Sequence, residues 1–596
     1  MRSETLTRNQ FGVLADAAVC GPRSQRKVAD RIGISLGSVN TATRELKQSG
    51  LLDEEGRITQ SGLEALKPHK VDNAIIMAAG ISSRFAPISY ERPKGLLRVK
   101  GEVLIERQIG QLKEAGIDDI TVVVGYMKEQ FFYLEDKFGV KIRVNEEYAN
   151  RNNNSTLMLV REQLGNTFIC SSDNYFSENV FEPYVYQAYY AATFFKGRTD
   201  EYLLETGTGK RIVGVRIGGS DQFGMLGHAY FDRAFSGEFR RILEEEYDRP
   251  ETAPKLWEDI FREHLDMLHM VMRPYEQGVV HEFDSLGELR DFDPAFIENV
   301  DSSILDNICK TLDVKRSGIS GIVPISQGLT NLSFKFDAKG KQYVYRHPGA
   351  GTDKIINRES EAFSQQVGYK LGLDDTYIYE DPREGWKISR YLPDCAELDY
   401  NDWGQVEEAL GMARTLHECG VESKWSFDVY EKAQELVALL DERHRASFDD
   451  FKELYALIDS LAQFVSRDGT KPCLCHNDFY NPNLLIAEGK MYLIDWEYSG
   501  MSDYASDLGT FVCCSPYGVE ETERVLQLYF QRTPTQHELA HCLSYIAISS
   551  FYWFVWALYK DACGAPVGEW LYLWYKNAKA FGHAAKDAVE RIAEDA

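Results

Sequence analysis

The chain has 596 residues, too many for one hydrophobic core, and its apolar content is ample for several domains. A formal net charge of −26 excludes a body that binds nucleic acid or anionic membrane by bulk electrostatics. The imbalance is uneven, because residues 1–70 hold 11 Lys and Arg against 8 Asp and Glu, a small positive module on an acidic remainder.

Residues 6–19 have helical spacing, Ser24 caps a second helix through Ile32, and Ser35 caps a third over 36–49 after a turn at Gly33. Residues 50–59 form a hairpin with the acidic tip Asp53-Glu54-Glu55, and 61–66 a last helix. This order resembles a winged helix-turn-helix domain, placed at 1–70. The resemblance implies that the third helix offers Ser38, Asn40, Thr41 and Arg44 to a DNA major groove. Arg44 would read guanine and Asn40 adenine. The tip acids, with Arg57 near them, stand where a wing approaches phosphate, and their repulsion counts locally because screening acts over roughly 8 Å. Two readings therefore stay open: DNA binding, and dimerisation or docking onto the adjacent domain.

From residue 73 an apolar strand runs into Ala78-Ala79-Gly80-Ile81-Ser82-Ser83-Arg84. A strand opening into such a loop exposes backbone N–H groups that cradle phosphates, and Arg84 adds charge. Pro93-Lys94-Gly95 follows, then strands and helices alternate, and Gly80, Gly125 and Asn145 fall at strand carboxyl ends, where open α/β sheets bind ligands. These motifs resemble the signature of sugar and alcohol-phosphate nucleotidyltransferases, an α/β, Rossmann-like doubly wound domain over 71–300. The resemblance implies that Ala79, Gly80, Ser83, Arg84 and Lys94 hold the nucleotide, with Lys94 and Arg84 catalytic, and that Asn154 and Ser155 recognise the base. Asp173, after the apolar strand 168–172, would bind metal with Asp284, or with Glu282 in its place. The segment around Trp257 and the aromatic stretch 184–195 resemble bacterial phosphocholine cytidylyltransferases that serve surface-glycan decoration. CTP and phosphocholine are the substrates this implies; Trp257 reads first as core and second as a contact to the trimethylammonium.

In the last part, His476-Asn477-Asp478 and Asn483 are followed by an apolar strand ending in Asp495-Trp496-Glu497-Tyr498. Phosphoryl transfer from ATP needs a base for the acceptor hydroxyl, and an amide oxygen and a carboxylate for Mg²⁺; Asp478, Asn483 and Asp495 fit in that order. The pattern resembles choline/ethanolamine kinases and aminoglycoside phosphotransferases, which implies an α+β bilobal protein kinase-like domain over 301–596 and a structural acid at Asp507. Gly328, Thr330 and Asn331 would cover the nucleotide, and Arg346 would stand where many kinases carry lysine, paired with Glu361. Residues 543–559, uncharged and apolar, are shorter than a bilayer span and read as a buried helix. Within it Trp553 and Trp556 share a helical face. By the resemblance these two, with Tyr572 and Glu497, would hold choline.

Eleven cysteines are scattered without a Cys-x-x-Cys pair and no signal peptide is read, so reduced, cytoplasmic thiols are expected. Together the three resemblances give a multidomain enzyme that makes phosphocholine from choline and ATP, then CDP-choline and pyrophosphate with CTP, with Mg²⁺ in both sites. The same reactions on ethanolamine, another amino alcohol or an aminophosphonate remain open, as does a ligand-sensing DNA-binding regulator.

Overall fold

The computed structural model describes residues 6–325, 331–349, 356–440, 445, 448–564 and 567–595. They belong to two compact units, Met1–Asn307 and Ile308–Ala596.

The first unit opens with α1 (Arg8–Cys20), α2 (Gln25–Ile32), α3 (Leu36–Gln48) and α4 (Gln60–Leu66). Thr7 and Gln10 cap α1 reciprocally, and the Ser35 hydroxyl accepts the Ser38 N–H at 3.1 Å. Ser24 precedes α2 as expected but makes no side-chain cap. Leu14, Val39, Leu46 and Leu66 close the core of a winged-helix domain. In the hairpin, the Arg57 guanidinium is 2.8 Å from both Asp53 and Glu55, so its charge is used within the wing. The outer face of α1 lies against the neighbouring sheet domain: Phe11 is 4.9 Å from the His69 ring and 5.3 Å from the Tyr186 ring, and the Tyr186 hydroxyl donates to Leu6 O. Asn40, Thr41 and Arg44 of α3 stay exposed. Docking therefore occupies α1 and leaves the third helix free.

The sheet strands are β1 (Asn73–Ala78), β2 (Ile120–Val124), β3 (Lys141–Val144), β4 (Thr167–Ser171), β5 (Tyr189–Thr206), β6 (Ile212–Phe231) and β7 (Val271–Pro274). They run in the order β7-β5-β6-β4-β1-β2-β3. The β4-β1-β2-β3 half is parallel and Rossmann-like, and β1 and β2 are near-continuous apolar runs because helices cover both faces. The other half departs from the doubly wound expectation: β6 is antiparallel to β4 and also to β5, with which it forms a long hairpin. Carboxyl ends of the parallel strands gather Gly80, Gly125, Asn145 and Asp173 at one edge.

The second unit begins with a five-stranded antiparallel sheet, in the order Ser320–Ile325, Asn331–Ala338, Lys341–Pro348, Lys387–Arg390, Tyr377–Glu380. Helix Arg358–Lys370 follows, and its Gly368 passes the Trp496 indole so closely that a Cβ would stand 2.4 Å from it. The rest is largely helical, giving the two-lobed kinase-like architecture. The apolar stretch is the middle of helix Gln536–Ala562, and it is mostly buried in this lobe's core against Trp570–Asp595. All eleven cysteines are free thiols.

Candidate active sites

In the first unit a cavity of about 200 Å³ opens at the carboxyl ends of the parallel strands, lined by Ala79, Gly80, Lys94, Asn145 and Asp173 among others. Lys94 is buried, and its Nζ lies 2.7 Å from Asp173 Oδ2. Burial opposes its charge, but Asp173, Glu282 and Asp284 outweigh burial and hold its pKa above the usual lysine value. Gly95 is required beside it, since a Cβ would stand 2.7 Å from Ser172 Oγ. Arg84 reaches Asp284 at 3.4 Å on the exposed rim. Acids crowd the same edge: burial, then Asp173, pushes Glu282 up to about 8, and burial, then Asp284, pushes Glu201 up to about 7.

One expectation is corrected here. Asn154 and Ser155 are fully buried: the Asn154 amide donates to Thr252 O at 3.0 Å and the Ser155 hydroxyl to Asn152 O at 2.8 Å, so they brace the loop. Tyr148, Arg151, Asn152, Asn153 and Thr156 line the cavity in their place. Trp257 is core, as its first reading had it, with its ring stacked on Tyr190 at 5.5 Å. Ser83 lies in the turn Ser83–Phe85, with its side chain outside what the structure describes.

In the second unit, Asn483 Nδ2 donates to Asp478 Oδ2 and to Asp478 O, both at 2.8 Å, which fixes the acid and leaves the Asn483 carbonyl oxygen free of those bonds. Asp507 accepts the backbone N–H of His476 at 2.9 Å and of Asn477 at 2.5 Å, as the structural acid under the loop. Asn477 and Asp495 hold positive φ, 64° and 63°, strain of the kind kept at functional positions. Burial, then Asp495, raises the Asp478 carboxyl well above the usual range, and the same pair of causes lifts Glu497 to about 7.

Arg346 bonds Glu361 and stands 3.4 Å from Asp495. Glu361 is held near 2 because Arg346, Lys387 and Arg358 outweigh its burial. Glu359 turns instead to Lys424, at 3.4 Å. Asn331 donates to Glu497 at 3.3 Å; Gly328 and Thr330 lie outside the described residues.

Trp553 sits among rings: Tyr552 at 5.0 Å, Trp556 at 5.5 Å, Trp574 stacked at 5.6 Å and Tyr498 at 6.5 Å. Tyr572 is corrected, being 69% exposed while Trp574 is buried. Two residues apart on one helix, they point to different sides, and the partly exposed Trp570 ring stacks on Trp574 at 5.1 Å.

Family models match three stretches: wHTH-PRTase associated at 14–77, MobA-like NTP transferase domain at 74–191 and choline/ethanolamine kinase at 322–550. A 2-aminoethylphosphonate cytidylyltransferase of Lancefieldella rimae is 36% identical over 229 residues, covering 38% of this chain and 93% of that protein. The chain belongs to the cytidylyltransferase family. A choline-phosphate cytidylyltransferase of Streptococcus pneumoniae is 31% identical, covering 36% of this chain and 95% of its own. Protein LicA of Haemophilus influenzae is 25% identical, covering 41% and 94%. This cytidylyltransferase-family chain thus also carries a choline/ethanolamine kinase-family domain, and it has both nucleotidyltransferase and kinase activities.

Sequence reasoning missed two acids of the cytidylyltransferase domain. Glu201 comes from the middle of β5, and no local motif announces a hairpin that folds back over the site. Glu258 follows Trp257, accepts from the Tyr190 hydroxyl at 3.0 Å and from Asn153 at 3.2 Å, and is raised to about 7 by burial. Among the described residues, three His, Cys or acidic ligand atoms lie within 4.8 Å of one another at His417, Cys473 and Cys475, and at Glu246, Glu263 and His264. Neither group contains a predicted metal ligand, so the active-site acids surround their cavities without collapsing onto one point.

Proposed function

We propose that the chain phosphorylates choline with ATP and then joins phosphocholine to CTP, releasing pyrophosphate and CDP-choline for transfer of phosphocholine to surface glycans. The carrying observation is the ring cluster of Trp553, Trp556 and Trp574 with Tyr498 and Tyr552, with buried Glu497 two residues beyond Asp495. Such faces attract a weakly hydrated quaternary ammonium, and Trp556 already takes the Lys560 ammonium 5.4 Å from its ring centre. Incubation with choline, ATP, CTP and Mg²⁺, with products identified by mass, tests both steps.

The residues fit a divalent cation in each site: Asp478 is raised by Asp495, and Glu282 by Asp173, after burial in each case, which is the field of clustered acids that Arg346 and Lys94 offset only in part. Asn483 and Asp495 would hold Mg²⁺ in the kinase, and Asp173 with Asp284 or Glu282 in the transferase. When bound, Mg²⁺ supplies positive charge to the phosphate oxygens. Asp478, oriented by Asn483, takes the choline hydroxyl proton as that oxygen attacks the terminal phosphorus of ATP, whose bond to the bridging oxygen breaks to release ADP. Arg346, set by Glu361, steadies the ATP phosphates. In the transferase, a phosphocholine oxygen attacks the α-phosphorus of CTP and pyrophosphate leaves. Lys94 stabilises the charge that develops there, and Arg84 closes the rim.

Trp553→Ala is expected to raise KM for choline by about 2- to 30-fold, a cation–π contact of roughly 0.5–2 kcal/mol, with KM for ATP unchanged. Equal rises for both would make the ring structural. A second reading, ethanolamine or an aminophosphonate as the amine, is favoured by Glu258, a buried acceptor for N–H, and by the relative at 36% identity. Turnover of ethanolamine above choline would select it.

The N-terminal domain is proposed to bind DNA through α3, where Asn40, Thr41 and Arg44 are exposed beside Arg23, Arg26 and Lys27 of the α2 region. Arg44→Ala should weaken binding of a genomic fragment in a mobility-shift assay by about 5- to 150-fold, the roughly 1–3 kcal/mol of a base contact. Absence of any shift for the native chain at low salt would leave docking as this domain's role.

A further inference from the structure

Between α1 and the sheet domain lies a cavity of about 340 Å³, separate from the catalytic one. Its charged lining is Arg8, Arg31, Lys210 and Arg273 against Asp16 and Glu182, a net positive patch on a chain of net charge −26. Arg273 is engaged by Glu182 at 2.8 Å, and Arg31 stands 3.4 Å from Asp16. Arg8 and Lys210 have no ion-pair partner among the described residues. Asp16 is 4% exposed and stands 3.4 Å from Arg31 and 3.8 Å from Arg23, yet neither carboxylate oxygen accepts a hydrogen bond. Buried polar atoms left so require an explanation, and a ligand donor is one. Phe11, Tyr184 and Tyr186 add an aromatic wall.

We propose that this cavity binds a small phosphorylated amine and that its occupancy regulates the transferase. Arg8 and Lys210 take the phosphate, while Asp16 and the aromatic wall take the ammonium head. Two compounds share that chemistry, the phospho-amino alcohol and its nucleotide-linked form. Packed groups join the cavity to the catalytic edge. Arg273 lies over the Tyr189 ring at 4.9 Å, the Tyr189 hydroxyl meets His228 Nε2 at 2.9 Å, and the His228 ring is 5.5 Å from Phe176. Phe176 closes the short strand Tyr175–Phe176 that follows Asp173, and this strand pairs with Val280–His281, which leads into Glu282. A shift of Arg273 therefore has a contiguous route to both acids; coupling between sites is a difference in binding free energy and acts in both directions.

The test is equilibrium dialysis of the full-length chain with phosphocholine, CDP-choline and inorganic phosphate, comparing the native protein with R8Q/K210Q and with Asp16→Asn. Glutamine removes the charge of both side chains and keeps a shorter polar stem in its place. The native chain should bind one equivalent more of phosphocholine or CDP-choline than R8Q/K210Q does, and whichever shows it is the source. D16N should weaken that equivalent at least about tenfold, and inorganic phosphate should not fill it. KM for CTP and turnover at low phosphocholine should stay within about twofold, while saturating phosphocholine or added CDP-choline changes native turnover in a way that R8Q/K210Q does not show. Equal stoichiometry in native and double variant, or an extra equivalent that survives both substitutions, overturns the proposal. Should the double variant or D16N fail to fold, Lys210→Gln alone, in the turn between β5 and β6, gives the same reading.

Discussion

Asp478→Asn will lower kinase turnover by about 10²- to 10⁴-fold, the usual contribution of a positioned general base, and leave nucleotidyl transfer from supplied phosphocholine intact. The substitution keeps volume and an acceptor for the Asn483 amide, which is 2.8 Å away, so the loop keeps its shape. It removes the group that takes the hydroxyl proton. That carboxyl is buried, with its pKa raised well above the usual range by burial and then by Asp495. Asp507→Asn is a different lesion, because its two oxygens hold the loop backbone at His476 and Asn477 and also meet His417 at 2.9 Å. It should lower thermal stability as well as turnover. Initial-rate kinetics with choline and ATP, beside a CTP assay on the same preparation, separates these outcomes. More than a tenth of native kinase turnover in D478N would remove Asp478 as the base, and loss of both activities in a folded protein would remove the two-site arrangement.

Much of the chemistry was legible because it sits where chain position and spatial position coincide. Asp478, Asn483 and Asp495 lie around one hairpin and Asp173 lies just beyond a strand end, so spacing alone places them, while Lys94 is marked by its own Pro-Lys-Gly turn. Arg346 and Glu361 were legible through helical register, since positions 359 and 361 point to different sides and only the second meets the sheet. Where register was not applied, at Tyr572 against Trp574, the exposed residue was chosen. Asn154 failed for another reason: a run of asparagines offers several amides, and which one is drawn inward depends on the 252–255 segment, about a hundred residues away. Glu201 depended on a long hairpin folding back, and docking of α1 on Tyr184 and Tyr186 of a distant segment. None of these has a local signature.

Lys94→Met tests the transferase at its buried cation. Methionine fills most of the space beside Phe85, whose ring lies 4.9 Å from Nζ, so the buried stem keeps its packing and only the charge goes. Two consequences follow from the 2.7 Å pair with Asp173. The α-phosphate loses a preorganised cation at the point where charge develops, a loss of about 10²- to 10³-fold in turnover. The acids also lose the counter-charge that now lowers Glu282, which stands at about 8 even with Lys94 present, so the site should take up protons more readily. In K94M the rate should therefore demand more Mg²⁺ for half-saturation and fall further at pH 7 than at pH 8.5, while choline phosphorylation continues unchanged and phosphocholine accumulates. Pyrophosphate release measured across both pH values and a Mg²⁺ series decides it. If K94M keeps a tenth of native turnover, with an unaltered Mg²⁺ requirement, Lys94 is a packing residue and the charge must come from Arg84 or Arg151.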